Sequence, residues 1–164
     1  MARPLGYSRL QIFLHWTIAV LVFVQLSVNE AMQKAFFERL SSGRVAPVQG
    51  AQLHVIVGMT VLVLAIVRVV VRTIRGTPPA HKETPAVLNW LAHATHMLLY
   101  GFIFGMPITG AAAWFLGLPV AAELHEIGRL ILIPAIGLHV VGALTEQLVF
   151  RNNSLERMVR PQAR

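Results

Sequence analysis

Long apolar stretches alternate with short polar segments along this chain. Four stretches, at about residues 10–28, 53–71, 90–114 and 124–150, are each long enough to cross a bilayer as a helix, which takes about 20 residues. Polar segments separate them at residues 29–52, in the Pro-rich stretch 76–85 and at a short loop over 116–123. The apolar runs are continuous rather than alternating, which predicts helices and not the strands of a membrane barrel. The pattern predicts an all-α membrane protein, an antiparallel bundle of four transmembrane helices that forms one domain over residues 1–164.

The composition supports a membrane protein and excludes several other classes. Of the 164 residues, 55% are hydrophobic and only 13% are charged, and the mean hydropathy is +0.63. Soluble domains carry about 25% charged residues, so a soluble two-domain enzyme and a disordered chain are both disfavoured. The chain has no cysteine, which excludes disulfides, thiolate zinc sites, iron–sulfur clusters and covalently attached c-type haem.

Basic residues predict the orientation. The formal net charge is +7, and in a chain this apolar we interpret the excess as a membrane signal, with lipid rather than nucleic acid as partner. One side of the predicted membrane holds Arg3, Arg9, Arg72, Arg75, Lys82, Arg151, Arg157, Arg160 and Arg164; the other holds Lys34, Arg39, Arg44 and Arg129. The positive-inside rule then predicts an inner-membrane protein with both termini in the cytoplasm. A cleaved signal peptide over residues 1–28 is disfavoured because no small-x-small site follows it.

Histidines are concentrated where lipid should exclude them. Six of the seven fall inside or at the rims of the four spans: His15, His54, His93, His96, His125 and His139. Ionisable side chains in hydrocarbon are costly, so they normally face the bundle interior and mark function. A single such histidine could be a neutral imidazole bonded to a neighbouring helix. Six together predict ligands.

The spacing of His125 and His139 predicts two cofactor levels. Fourteen residues are nearly four helical turns, so both rings leave the same face, about 21 Å apart along the axis. The alternating direction of the spans places His54 beside His125 at the outer level and His15 beside His139 at the inner level. Two imidazoles on opposite sides of a planar site indicate bis-histidine haem b without covalent attachment. We therefore predict two haem b groups in the core, with iron held by these four histidines.

Further candidates surround these ligands. Gly58, Gly128 and Gly142 follow His54, His125 and His139 at helical spacing, and would let a flat ring approach the backbone; small-residue packing between membrane helices is the alternative. His93 and His96 are candidates for quinone binding or proton transfer, are alternative ligands of the inner haem, or are interfacial residues without chemistry. Glu146 is a candidate for proton transfer or simply faces cytoplasmic water. Arg68 and Arg72 are candidates for binding haem propionates, although arginine near a helix end often extends to lipid headgroups.

Taken in order, several motifs resemble the bacterial cytochrome b561 family, and the resemblance covers nearly the whole chain. They are YSRLQIFLHW (7–16), HVIVGMTVLVLAIVRVVVR (54–72), TPP (77–79), AHATHMLLY (92–100), MPITG (106–110), LHEIG (124–128), GLHVVGAL (137–144) and NSLERM (153–158).

The resemblance implies haem ligation at His15, His54, His125 and His139, and electron exchange with ubiquinone. One branch of the family oxidises superoxide and passes the electrons to ubiquinone, and that branch carries a His-His pair soon after the inner ligand. This chain has Glu146 and Gln147 at those positions. The implied function is an inner-membrane oxidoreductase between an outer donor, superoxide, and ubiquinone. The alternatives are an integral subunit that passes electrons between a docked redox enzyme and the quinone pool, and a haemless metal or proton transporter.

Overall fold

The computed structural model describes residues 6–27, 32, 34–36, 38, 49–79 and 84–161. Four long helices cover most of this part of the chain: α1 (Arg9–Ser27), α2 (Gln49–Arg75), α3 (Ala86–Leu116) and α4 (Pro119–Leu148), with a short helix α5 (Ser154–Arg157) after them. No strand occurs among the described residues, and all four long helices are long and apolar enough to span a membrane. The predicted all-α membrane architecture is confirmed. Of the residues used to predict orientation, the following lie outside the described part: Arg3, Arg39, Arg44, Lys82 and Arg164.

The connection between α3 and α4 is shorter than predicted. We expected a loop over 116–123, but only Gly117 and Leu118 separate the two helices. Gly117 adopts the left-handed conformation (φ 65°), and its N–H donates to the carbonyl of Ala113, which ends α3. Pro119 then takes the first helical position, where its fixed φ suits a helix start and no amide hydrogen is needed. The sequence prediction of a longer loop was wrong because the chain reverses direction within Gly117 and Leu118, and Pro119 already belongs to α4.

Side-chain contacts establish that α1 and α2 run antiparallel. At one end of the bundle, the Gln11 side chain near the start of α1 donates to the carbonyl of Gly76 just after α2 (3.0 Å). At the other end, Gln25 near the end of α1 donates to the carbonyl of His54 near the start of α2 (2.9 Å). The indole nitrogen of Trp16 donates to the carbonyl of Met158 (2.7 Å). The start of α1 and the chain that follows α4 therefore lie at the same end, which we name the terminal end.

The centre of the bundle is open. The helices pack in the sequence α1–α2–α3–α4, while α4 makes only marginal backbone contact with α1 and α2 in the described residues. A cavity of about 1060 Å³ lies between the four helices. No large side chain among the described residues is fully buried, whereas an ordinary protein core is filled to crystal-like density. The fold therefore provides a space in its interior that its own side chains do not fill.

Candidate cofactor site

Two pairs of histidines cross the gap that separates α4 from α1 and α2. The rings of His54 and His125, which we name the upper pair, have centroids 6.1 Å apart with an interplanar angle of 68°. The rings of His15 and His139, the lower pair, are 6.2 Å apart at 70° and lie toward the terminal end. All four residues line the cavity. His125 and His139 belong to one unbroken helix, so the two levels are about 21 Å apart along it.

The spacing within each pair fits a metal ion between two imidazoles. A five-membered ring with C–N bonds of about 1.33 Å has its nitrogens about 1.1 Å from its centre. With metal–nitrogen bonds of about 2.0–2.1 Å on each side, two rings facing one ion have centroids about 6.3 Å apart. The observed distances of 6.1 Å and 6.2 Å are close to this value. The described residues contain no group of three or more possible metal ligands, as a zinc site made of side chains alone requires. The donor set therefore fits bis-histidine haem iron better than zinc.

A third histidine at the lower level, His96, lies too close to His139 for a metal ion to fit between their rings. The centroid of the His96 ring lies only 5.0 Å from that of His139, which is direct ring contact with no room for an ion between them. The Nδ1 atom of His96 lies 2.6 Å from the carbonyl of Ala92 in its own helix. Because a carbonyl can only accept, Nδ1 carries the hydrogen and Nε2 keeps a free lone pair. His96 is therefore placed as a neighbour of the lower pair, and His93 lines the same cavity.

One ring of the upper pair, His125, is held by groups of the neighbouring helix α3. The Nδ1 atom of His125 lies 2.9 Å from the carbonyl oxygen of Met106 in α3 and 3.4 Å from the hydroxyl of Thr109. Nδ1 therefore donates its hydrogen, and Nε2 is left with the lone pair that a metal ligand needs. On the other ring, the buried Nδ1 of His54 has no hydrogen-bond partner among the described residues. An orphaned ring nitrogen at this depth suits a site that a ligand completes.

Gly110 is a site residue that the sequence analysis missed. A Cβ atom at this position would lie 3.1 Å from the Cε1 and Nδ1 atoms of His125. Glycine at 110 therefore lets the α4 ring lie against the backbone of α3. The MPITG motif contains the signal, because Gly110 follows Met106 by four residues and so shares its helix face.

The three glycines proposed from the sequence have different surroundings. A Cβ at Gly142 would meet nothing within 4 Å, and this glycine lines the cavity. At Gly58 a Cβ would lie 2.9 Å from the amide nitrogen of Gln25, and at Gly128 it would lie 2.6 Å from the Sδ atom of Met106. The structure thus supports the helix-packing alternative at Gly128 and an open face at Gly142, whereas Gly58 both lines the cavity and contacts the end of the Gln25 side chain.

The two arginines expected near propionates both line the cavity. The Arg68 guanidinium donates to the backbone carbonyl of Gln11 (3.1 Å), which ties α2 to α1 near the lower pair. Arg72 lies over the ring of Tyr100, with 5.7 Å from its guanidinium carbon to the ring centroid. The cationic groups of α2 are therefore gathered at the lower level.

Glu146 lies in a hydrogen-bonded cluster at the terminal end that sequence reasoning did not find. One carboxylate oxygen accepts from the hydroxyl of Thr84 (3.1 Å) and from the side-chain amide of Asn152 (2.6 Å). The Asn152 amide also donates to the Thr84 hydroxyl (2.9 Å). Thr84 and Asn152 are buried, and the Oε1 atom of the adjacent Gln147 is buried without a partner in the described residues. Both donors to Glu146 are neutral, and each lies in a segment outside the four spans.

Four apolar helices around a cavity that two imidazole pairs enter are the arrangement expected of a membrane-embedded b-type cytochrome. Comparison with known proteins agrees. Residues 6–161 match the family described as prokaryotic cytochrome b561. The chain is 36% identical over 162 residues to cytochrome b562 of Cereibacter sphaeroides, covering 99% of this chain and all of that protein. It is 28% identical over 174 residues to the probable superoxide oxidase CybB of Yersinia pestis, covering 93% of this chain and 95% of that one.

The chain belongs to the prokaryotic cytochrome b561 family. It is a multi-pass protein of a bacterial membrane and a cytochrome b of electron transfer, and the family implies haem b as its cofactor. The resemblance stated from the motifs is thereby confirmed.

Proposed function

We propose that this single-domain protein holds two haem b groups, one between His54 and His125 and one between His15 and His139, and transfers electrons from superoxide to ubiquinone. The observation that carries the proposal is the spacing of the two ring pairs, 6.1 Å and 6.2 Å, which matches the distance needed for one iron between two imidazoles. Bound haem b supplies reversible one-electron transfer. The chain's own residues ligate the iron, exclude water and move protons.

The proposed reaction requires an electron-donor site at one end of the bundle and a quinone site at the other. Two superoxide anions each lose one electron and become dioxygen; one ubiquinone takes both electrons and two protons and becomes ubiquinol. We assign the donor to the upper pair and the quinone to the lower pair. The likeness to a probable superoxide oxidase supports superoxide as the donor. The quinone is assigned to the lower pair because His96, which is in ring contact with His139, lines the cavity there and offers a polar group to a large flat ligand.

The residues around the lower pair suit a quinone that gains protons. His96 has a free Nε2 because its Nδ1 is bonded to Ala92, and we assign His93 and His96 to contact with the quinone. Glu146 accepts hydrogen bonds from Thr84 and Asn152, so its carboxylate is held at the terminal end with no cation bound to it in the described residues. A carboxylate in this position can pass protons between water and the cavity.

Three more residues complete the lower site. We assign Arg68 and Arg72 to binding the propionates of the lower haem, because both line the cavity and Arg68 contacts Gln11, one helical turn before His15. Gly142 lies one helical turn from His139 and has open space where a Cβ would be, which supports close approach of a flat ring. The excess of basic residues at the terminal end supports an inner-membrane location with this end in the cytoplasm.

The test uses the purified full-length protein. Pyridine haemochrome analysis should return two haem b per chain, and superoxide produced in the presence of a ubiquinone analogue should yield ubiquinol. Superoxide dismutase should abolish ubiquinol formation and leave the haem content unchanged, whereas His54→Ala should leave one haem per chain and abolish ubiquinol formation from superoxide. A protein that holds haem but is inert alone, and is active only with a copurified redox enzyme, would favour the docked-subunit alternative. Absence of a Soret band in protein made with haem available would overturn the proposal.

A further inference from the structure

Arg129, in the first half of the fourth long helix, is a cation with no assigned role. It is the eleventh residue of α4, which begins at Pro119, so its Cα lies about 15 Å into the helix. A charged side chain at such a depth is costly, and it normally faces the protein interior and is paired with a group of opposite charge. Arg129 lines the cavity between the four helices, so its side chain faces the protein interior as expected.

Arg129 lies on the same face of α4 as His125 of the upper pair, because it follows His125 by four residues. Side chains on a helix lean toward its N-terminus, and the N-terminus of α4 is at the upper end, so the guanidinium extends back toward the level of His125. Both side chains line the cavity between the four helices.

Arg129 lacks the partner that its location requires. Within the part of the chain that the structure describes, no salt bridge or hydrogen bond joins it to a carboxylate or a carbonyl oxygen. Arg68, the comparable residue at the lower level, donates to the carbonyl of Gln11, and the exposed Arg160 pairs with Glu156 at 3.3 Å. A half-buried guanidinium facing a cavity is a site for an oxygen anion, and its planar fork matches a carboxylate best.

We propose that Arg129 binds a carboxylate of the haem held at the upper level. The inference rests on the proposed function, which places a haem b between His54 and His125, and a haem b group carries two propionate carboxylates. The carboxylate of Glu126, three residues earlier in α4, also lines this cavity, but no ion pair joins it to Arg129 among the described residues. The guanidinium thereby orients the cofactor and adds a positive charge near the iron, which favours the reduced form.

The experiment compares holoproteins carrying Arg129→Gln, Arg129→Lys and, as control, Arg160→Gln at an exposed ion pair. Optical redox titration resolves the two haems, and His54→Ala identifies which of them is the upper one. We expect Arg129→Gln to lower the equilibrium constant for reduction of the upper haem about tenfold, which is about 59 mV for a one-electron couple. The lower haem should not change. Arg129→Lys should retain most of the effect of charge, and Arg160→Gln should behave as the wild type.

A second measurement identifies the bound group. Redox-difference infrared spectra of protein whose haem is labelled with ¹³C in the propionate carboxylates should show labelled bands that shift in Arg129→Gln and not in Arg160→Gln. Unchanged bands and an unchanged upper potential would overturn the inference. So would an upper potential that follows chloride concentration in the wild type while the labelled bands stay fixed, because Arg129 would then bind a soluble anion. If His54→Ala and His125→Ala both leave two haems per chain, the proposed upper haem site itself is wrong. If each of these variants loses one haem but Arg129→Gln changes neither the upper potential nor the labelled bands, only the inference about Arg129 is wrong.

Discussion

The Nδ1 atom of His125 lies 2.9 Å from the carbonyl oxygen of Met106, so the backbone of α3 determines which nitrogen of an α4 histidine carries the hydrogen. Metal-binding histidines commonly donate their second nitrogen in this way, which orients the ring and sets its tautomer. The lower pair shows no equivalent bond to a backbone carbonyl in the described residues; there the neighbouring groups are the rings of Trp16, at 5.4 Å from His15, and His96. The two levels of the bundle are therefore built differently.

Gly110→Ala should disturb the upper level alone. The new methyl group would lie 3.1 Å from the His125 ring, so the ring has to move by a few tenths of an ångström, and overpacking of this kind typically costs about 1–3 kcal/mol. We expect a shifted spectrum and potential for one haem. Gly105→Ala in the same helix is the matched control because its Cβ meets nothing within 4 Å. Equal spectra for the two variants would show that the contact is unimportant.

His96→Ala should leave both haems in place, whereas His15→Ala and His139→Ala should each remove one. The reason is the ring spacing: 6.2 Å between His15 and His139 admits an ion, and 5.0 Å between His96 and His139 does not. The measurement is haem content per chain by pyridine haemochrome. Loss of a haem in His96→Ala together with two haems in His15→Ala would mean that α3, not α1, supplies the lower ligand.

Gly142→Leu should reduce occupancy of the lower haem, and Gly137→Leu should not. Both glycines have open space at the Cβ position, but Gly142 lines the cavity and Gly137 does not. In lipid-facing positions leucine is well tolerated, so only the variant that points a side chain into the cofactor space is expected to compete with the ring. Haem content and the lower potential are the measurements. Two variants with full haem content would leave Gly142 as an ordinary surface position.

Asn152→Ala should lower the thermal stability of the detergent-solubilised protein. Its amide donates to Glu146 and Thr84 and is buried, and leaving buried polar groups unpaired costs about 1–3 kcal/mol. Asn153→Ala is the control because Asn153 is exposed and its side chain makes no capping bond to α5. We also expect slower ubiquinol formation in Asn152→Ala at full haem content, since Glu146 loses its shortest hydrogen bond. Equal unfolding temperatures for the two variants would contradict a structural role for the cluster.

The periodic and compositional features of the chain were sufficient for the fold. Continuous apolar runs identify membrane helices with little ambiguity because lipid offers the backbone no other partner, and the alternating direction of successive spans places His54 near His125 and His15 near His139. The ends of helices were less accurate, as the short junction at Gly117 and Leu118 shows, because a turn of two residues depends on local conformation and not on hydropathy.

By itself the sequence determined the four spans, the depth of each histidine and the two-level arrangement, since rise per residue is a constant of the helix. Tertiary structure decided what lies beside each of those residues. Examples are the Met106 carbonyl and Gly110 beside His125, the cluster of Glu146 with Thr84 and Asn152, and the contact of His96 with His139. All of these depend on the rotation of one helix against another. That rotation is set by packing summed over whole helix faces, so no spacing within a single span can specify it.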